Sequence, residues 1–197
     1  AIEGVRAQPD QRPLYPSRAG LWGKPTVVNN VKTLAAVPWI VTHGAGAFGS
    51  LGEAERPGTT LVQLGGTVKQ PGIAEVPLGV TLREVIDGAG GGVNGSLKAV
   101  IVGGPTGGFL PPDALDTPLT HDALGEAGVL VGSGTLLSVD ESACLIDMTT
   151  LMTRFLSYSA CGKTIPCRIG IKRLAEQGSA ACSGHVRPGD AQLMTDL

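Results

Sequence analysis

Glycine and proline stand at more than one position in five of this sequence, with 30 glycines and 14 prolines among 197 residues. Proline fixes φ and lacks an amide donor, and glycine weakens both helices and strands, so the elements between such residues are short. Aromatic residues make up only 4% of the chain, which favours small, closely packed elements. The sequence therefore predicts a loop-rich mixed fold, with an extended connector where four prolines fall between residues 7 and 26.

Charge and hydropathy exclude several classes of protein. The 15 Lys and Arg residues against 17 Asp and Glu residues give a formal net charge of −2, whereas a nucleic-acid binder needs a cationic surplus to contact phosphates. Hydrophobic residues make up 42% of the chain, which excludes global disorder. No apolar run approaches the roughly 18 residues of a membrane-spanning helix. We therefore expect no nucleic-acid partner and no direct membrane insertion.

Four cysteines are too few for a disulfide scaffold of this length, so reduced thiols or metal ligands are favoured. This use of cysteine indicates a cytoplasmic setting, and residues 1–10 lack the basic-then-apolar pattern of a signal peptide. The chain begins without methionine, and we expect it to be part of a longer protein.

Between residues 58 and 103, short apolar segments alternate with turns. Thr60–Val68 and Ile73–Val76 are predicted strands joined by a Pro-Gly turn of type II. The Thr-Leu-Arg-Glu sequence at 81–84 is a capping box that opens an amphipathic helix, and Lys98–Val102 is a predicted buried strand. The order strand, strand, helix, strand closes into a small sheet with one helix across a face, and we expect the β-grasp kind.

The second half of the chain changes from sheet to helix. Residues 103–128 are rich in glycine, proline and polar residues and are predicted to form a loop at the sheet edge. Leu136–Val139 is a further predicted strand. Asp140 and Glu141 are expected to place negative charge at the start of a helix. The predicted buried stripe of that helix is Leu145, Met148, Met152 and Phe155.

An earlier helix is predicted after Asn29 or Asn30, either of which can act as its N-cap. Its apolar positions are Val31, Leu34, Val37 and Val41. The glycines at 44, 46 and 49 match the dinucleotide-binding pattern G-x-G-x-x-G, but that loop works only between a strand and a helix. Pro57-Gly58 ends any following helix, so an ordinary surface loop is favoured over a phosphate site.

The candidate metal ligands are Cys161 and Cys167, which lie six residues apart with Lys163 and Arg168 nearby. Cationic neighbours and a helix N-terminus favour the thiolate, the form that binds metal or reacts. Judged on spacing alone, two free cysteines in a loop and a first helical turn remain the better interpretation.

Longer motifs resemble one family, and they occur in the order in which that family carries them. Tyr15-Pro16 precedes the sequence Gly-Leu-Trp-Gly-Lys-Pro-Thr-Val-Val-Asn-Asn-Val at residues 20–31. The further matches are Gly72, Pro77-Leu78-Gly79, Thr81-Leu82, Gly132-Ser133-Gly134, Asp140-Glu141 and Cys161-Gly162-Lys163. Over nearly its whole length the chain resembles the NADH-binding flavoprotein subunit of respiratory complex I. The same family includes the diaphorase subunits of NAD-linked formate dehydrogenases and hydrogenases.

The resemblance implies an α+β fold in three parts. Residues 1–57 would be the C-terminal tail of a Rossmann-like domain that binds FMN and NADH. Residues 58–133 would be a soluble-ligand-binding β-grasp domain, and 134–197 the start of an incomplete helical bundle of the iron–sulfur type. In the family, an Asn-Asn segment and a nearby Thr lie against the flavin, which carries over to Asn29, Asn30 and Thr33. A helix cap is the alternative role of the asparagines, and the two roles are compatible.

The cluster motif departs from the family pattern. The family sequence Cys-Gly-Lys-Cys-x-Pro-Cys supplies three thiolates to a [4Fe-4S] cluster, whereas Thr164 stands at the middle position here. Only Cys161 and Cys167 carry over as metal ligands. Cys182 comes too early to replace the family's fourth cysteine, and Cys144 is interpreted as a small core residue. Because a cubane cluster expects four thiolates, we expect no cluster on this chain alone. We also expect no bound FMN on this chain alone.

The implied function is that of an NADH:acceptor oxidoreductase subunit, in which hydride passes from NADH to FMN and single electrons leave through iron–sulfur centres. This chain would supply scaffold and relay, with no catalytic residue of its own. Its partners would be other subunits of the complex, including a ferredoxin-like [2Fe-2S] subunit. Its location would be cytoplasmic, or peripheral to the inner face of the membrane through the complex. The alternative is a non-redox β-grasp docking or ligand-binding module that has lost its cluster.

Overall fold

The computed structural model describes residues 4–6, 8–9 and 14–196. The described chain opens with α1 (Val31–His43) and α2 (Ala45–Gly49), followed by the two-residue strands β1 (Gly52–Glu53) and β2 (Arg56–Pro57). Asn30 is the N-cap of α1, as predicted, and the positive φ of Gly44 separates α1 from α2. No helix in the described ranges is long and apolar enough to cross a membrane.

One five-stranded sheet forms the centre of the molecule. Its strands are β3 (Thr59–Gly66), β4 (Gly72–Pro77), β5 (Leu97–Val102), β6 (Gly108–Leu110) and β7 (Thr135–Asp140). They lie in the order β4-β3-β7-β5-β6, with β3 and β7 parallel and the other neighbours antiparallel. The register places Leu136 between Leu64 and Val102. The last strand in sequence is therefore the central strand in space.

Short helices connect these strands. α3 (Leu82–Glu84) continues as a π-helical turn over Val85–Ala89, and α4 (His121–Glu126) follows β6. The predicted capping box at the start of α3 is present: the Glu84 amide donates to Thr81 Oγ1 at 3.2 Å, and the Thr81 amide donates to Glu84 Oε2 at 2.8 Å. These reciprocal bonds satisfy two amides that the helix itself cannot.

The core lies on both faces of the sheet because side chains alternate along each strand. Val100 and Val102 face the larger cluster, which includes Leu82 and Ile86 of the short helices. Alternate residues of β5 and β7 face the other side, where Ala99, Ile101 and Val139 pack against Leu145, Met148 and Met152. The predicted helical stripe thus packs on the sheet through its first three members.

The C-terminal part is a helical pair followed by a short helix: α5 (Leu145–Ser159), α6 (Ile165–Cys182) and α7 (Asp190–Asp196). Thr150 of α5 lies against Gly178 of α6, and both are buried. Asp147 lies near Cys182, so the start of α5 is beside the end of α6 and the two helices are antiparallel. Pro166 occupies the first turn of α6.

The structure corrects several expectations in this region. Residues 103–128 are not a simple loop: they contain β6 and α4 and bury Leu115, Leu119 and Leu124. The loop prediction was wrong because the apolar residues of this segment are too widely spaced to show a period. Asp140 ends β7 and does not start a helix. The Ser142 hydroxyl and amide donate to its carboxylate and lower the pKa of Asp140. Phe155 is 55% exposed, outside the buried stripe.

The pairing of β7 changes the residue at which the sheet unit ends. The sequence division at residues 133 and 134 separates this strand from the sheet, yet it pairs with both β3 and β5. A central strand cannot leave a sheet without exposing two rows of backbone groups. The sheet unit therefore extends to Asp140.

Candidate functional site

The first candidate site is the N-terminal end of α1, where flavin contacts are predicted. Asn30 Oδ1 accepts a hydrogen bond from the Lys32 amide at 2.8 Å, which confirms its capping role. Asn29 and Thr33 flank this cap, and their exposed side chains make none of the described hydrogen bonds. The structure brings the three predicted residues to one helix end and leaves two of their side chains available.

A groove of about 880 Å³ opens beside this helix end, between α1 and strands β3 and β4. Asn30 and Trp39 line its helical wall, and Leu61 lines the wall formed by the sheet. The Trp39 ring stacks on His43 with 4.5 Å between centroids and lies 6.2 Å from the Phe48 ring. The Trp39–Phe48 contact joins α1 to α2, and both rings line the groove.

The second candidate site is the loop between α5 and α6, which carries Cys161 and Cys167. Both cysteines are free and exposed. Cys161 precedes α6, and Cys167 lies in its first turn, behind Thr164 in the N-cap position. The Thr164 side chain makes no capping hydrogen bond, although its carbonyl accepts from the Arg168 amide at 3.0 Å.

The other two cysteines lie at the opposite end of the helical pair. Cys144 is the exposed N-cap residue of α5, which corrects its interpretation as a core residue. Cys182 ends α6, where its Sγ is 3.7 Å from Thr150 Oγ1 and 3.9 Å from Asp147 Oδ1. Fifteen residues separate Cys167 from Cys182, and at 1.5 Å per residue this is about 22 Å of helix.

These positions do not fit a four-thiolate cluster. A cubane is held by cysteine thiolates at its four iron corners, whereas the helical pair offers two cysteines at each end. Within the described residues, no group of three or more His, Cys, Asp or Glu side chains could hold a metal ion. Among residues 4–6, 8–9 and 14–196, the cysteine loop therefore offers two thiolates, and the other cysteine pair lies at the far end of the helical pair.

Comparison with known proteins places these sites in a family. The SLBB domain model matches residues 55–110, and the model of the NADH-ubiquinone oxidoreductase-F iron-sulfur binding region matches residues 147–197. The F 2 subunit of the NADH-quinone oxidoreductase of Rhizobium meliloti (strain 1021) is 41% identical over 199 residues, which cover 100% of this chain and 47% of that protein. The chain belongs to the F-subunit family of NADH-linked oxidoreductases.

Hydrogenase subunits share the family likeness. NADP-reducing hydrogenase subunit HndC of Solidesulfovibrio fructosivorans is 40% identical over 178 residues, covering 89% of this chain and 36% of that protein. The structure of NAD+-reducing [NiFe]-hydrogenase in the H2-reduced state matches with a TM-score of 0.82 and 34% identity, over 96% of this chain and 32% of that chain. The chain thus spans less than half the length of these relatives, and its mixed helix and sheet fold is the fold of the family.

The separation of the two cysteine pairs was missed by sequence reasoning. The signal was present, since Cys144 and Cys161 bracket a helical pattern that is 15 residues long in the structure. A cysteine at each end of such a helix is too far from its neighbour to share a metal ion with it. The length of this helix gives the distance between the two cysteines.

Proposed function

We propose that this chain is part of an NADH:acceptor oxidoreductase flavoprotein subunit and contributes scaffold and the cluster-domain portion. The observation that supports this best is the ordered match of the SLBB and iron–sulfur region models within one chain that is 41% identical, over its full length, to the Rhizobium meliloti relative. The relatives named above are quinone- and hydrogenase-linked.

The division into parts follows the same proposal. The residues before 58 are the tail of a Rossmann-like flavin domain, the five-stranded sheet with its short helices is a β-grasp domain, and α5 to α7 begin a helical bundle. The exposed apolar side of α1 supports the first assignment, since Val31 is 80% and Val41 79% exposed. Contiguous apolar surface of this kind is typical of a face that packs against further protein.

The proposed flavin contacts are Asn29, Asn30 and Thr33. The fit rests on polar side chains gathered at one helix end, with Asn29 and Thr33 free of described hydrogen bonds. When bound, FMN supplies the conversion of a two-electron hydride donor into single-electron transfer. The residues of this chain would orient one edge of the flavin through Asn29 and Thr33, while Asn30 keeps the helix end in place.

The proposed partners are the other subunits of an NADH-linked complex, including a ferredoxin-like [2Fe-2S] subunit. Membership of such a complex implies a cytoplasmic location or a place at the inner face of the membrane. The names of the relatives, which are subunits of a quinone oxidoreductase and of a hydrogenase, support the partner proposal.

The test is flavin content and NADH oxidation in the full-length protein, purified from its host with its partner subunits. We expect acid-releasable FMN and NADH-dependent reduction of an artificial acceptor. Thr33→Val should lower the FMN content, whereas the matched change Thr42→Val at the other end of α1 should not. A full-length complex without flavin and without NADH oxidation would contradict the proposal.

The second candidate function is a non-redox β-grasp module that docks a partner or binds a ligand. The wide separation of the two cysteine pairs is the observation that favours it. The flavin measurement separates the two functions, since a docking module has no need of FMN. Equal FMN content in Thr33→Val and Thr42→Val, near zero in both, would favour the docking module.

A further inference from the structure

We infer that the corner between α5 and α6 folds without an iron–sulfur cluster, because hydrogen bonds of Arg6, Gln8 and Pro9 and the start of α6 hold the cysteine loop in place. The inference concerns the region matched at residues 147–197. It rests on the family assignment of that region and is independent of NADH oxidation. The contacts of the loop, its ligand count and the position of Thr164 each support it.

Side chains of the N-terminal segment and of the cysteine loop donate hydrogen bonds to each other's backbone carbonyls. Arg6 Nη2 donates to the Tyr158 carbonyl at 3.2 Å, and Gln8 Nε2 donates to the Cys161 carbonyl at 3.1 Å. In the other direction, Lys163 Nζ donates to the Pro9 carbonyl at 3.4 Å. Three hydrogen bonds thus join segments more than 150 residues apart in sequence, a cross-link of the kind that a metal cluster provides elsewhere.

The ligand count at this corner is two thiolates. Cys161 and Cys167 are exposed and free, and Cys144 and Cys182 are about 22 Å away along the helices. The charged neighbours Lys163 and Arg168 are cations and cannot act as further ligands. Of the three cysteine positions in the family motif, this loop therefore keeps two, because Thr164 stands at the middle one.

Thr164 occupies the position where one more ligand would have most effect. It is the N-cap of α6 and Cys167 is N3, the two positions that a capping box links through side chain-to-backbone hydrogen bonds. Thr164 is exposed and its hydroxyl makes no capping bond, so replacing it with a thiol removes no capping hydrogen bond. Thr164→Cys is therefore expected to add a ligand while leaving the fold unchanged.

The test uses the full chain, reconstituted without oxygen with ferrous iron, sulfide and excess thiol, then desalted. Iron and acid-labile sulfide are measured per chain. The wild type should hold no more iron than Cys161→Ser, while Thr164→Cys should hold at least about threefold more, with matching sulfide, because three thiolates then reach three corners. The gain should vanish in the double variant Thr164→Cys/Cys161→Ser and be absent in Thr42→Cys, which adds a distant thiol.

A wild-type chain with stoichiometric iron and sulfide and the visible absorption of a cluster would overturn the inference. A Thr164→Cys variant with wild-type iron content and unchanged thermal unfolding would overturn one of its supports, the position of residue 164 beside the two cysteines. As a second readout, the wild-type melting temperature should be the same with and without an iron chelator, and a fall with chelator counts against the inference. Loss of NADH oxidation in the full complex would affect only the proposed function.

Discussion

Gly178 of α6 lies directly against Thr150 of α5. A Cβ atom built on Gly178 would be 2.4 Å from Thr150 Oγ1, well inside van der Waals contact. Thr150 is only 3% exposed, and its hydroxyl donates to the Ile146 carbonyl at 2.7 Å. Because the hydroxyl is held in this way, it cannot turn aside for a larger residue at 178. The spacing of the helical pair depends on this contact.

Gly178→Ala should destabilise the chain by about 1–3 kcal/mol through overpacking at the helix crossing. The free energy of unfolding from urea titration measures the effect. Gly125→Ala is the matched control, since Gly125 also lies within a helix but has no heavy atom within 4 Å of a built Cβ. The control should be neutral or slightly stabilising, by up to about 1 kcal/mol. Equal losses in the two variants would contradict the helix contact.

Asn30→Ala should shorten α1 at its N-terminus, because the side chain that accepts the Lys32 amide is removed. A lost cap of this kind costs about 1 kcal/mol. Amide exchange in the first turn of α1 should accelerate, and Asn29→Ala should leave it unchanged. If Asn29→Ala had the larger effect on exchange, the assignment of the cap would be wrong.

The capping box at the start of α3 should make the stability depend on acid pH. The Thr81 amide, and then the Thr81 hydroxyl, donate to the Glu84 carboxylate and lower the pKa of Glu84 below its ordinary value of 4.5. A lowered pKa in the folded state means that this contribution is present above pH 4.5 and is lost as the pH falls through the folded value.

Unfolding of the wild type and of Glu84→Gln should therefore converge as the pH is lowered. The measurement is the difference in urea midpoint between the two proteins across the acid range. The amide resonance of Thr81 should report the same titration in the wild type. A stability difference that stayed constant from about pH 6 to about pH 3 would contradict this account of the cap.

Gln8→Ala should loosen the cysteine loop without unfolding the chain. The lost bond to the Cys161 carbonyl is exposed, so its net contribution to stability is about 1 kcal/mol or less. Amide exchange should accelerate at residues 160–164 while the sheet stays protected. Gln192→Ala removes a comparable exposed side-chain bond, from Nε2 to Asp196 in α7, and should not affect the loop. No change in loop exchange with Gln8→Ala would show that the Gln8 bond does not hold the loop.

The elements with strong local signals could be predicted from sequence. The capping box of Thr81 and the cap of Asn30 each depend on residues within a few positions of one another. The hairpin of β3 and β4 was predicted, but its type II turn was wrong, because Gly72 has an extended φ of 157° and is the first residue of β4. The central place of β7 could not be predicted in this way, because its partners Gln63 and Leu97 lie far from it in sequence. Parallel pairing with β3 leaves no local turn motif that would indicate it.

The candidate site was predictable to the same degree. Asn29, Asn30 and Thr33 fall at one helix end because they span a single turn, and Cys161 and Cys167 flank a helix start marked by Pro166. Arg6 and Gln8 contact the end of α5 and the cysteine loop across more than 150 positions, and no feature of the proline-rich segment predicts such a contact. Long-range hydrogen bonds to backbone carbonyls leave no residue pattern in the sequence.

The separation of Cys161 from Cys182 is the most direct test of the account. Spin labels on these two residues, in a full chain carrying Cys144→Ser and Cys167→Ser, report the distance by pulsed dipolar spectroscopy. Because α6 spans most of that interval, we expect a distribution centred near or above about 22 Å. A distribution centred below about 15 Å would mean that the helical pair brings its cysteines together. The conclusion that the four cysteines of this chain cannot share one cluster would then be wrong.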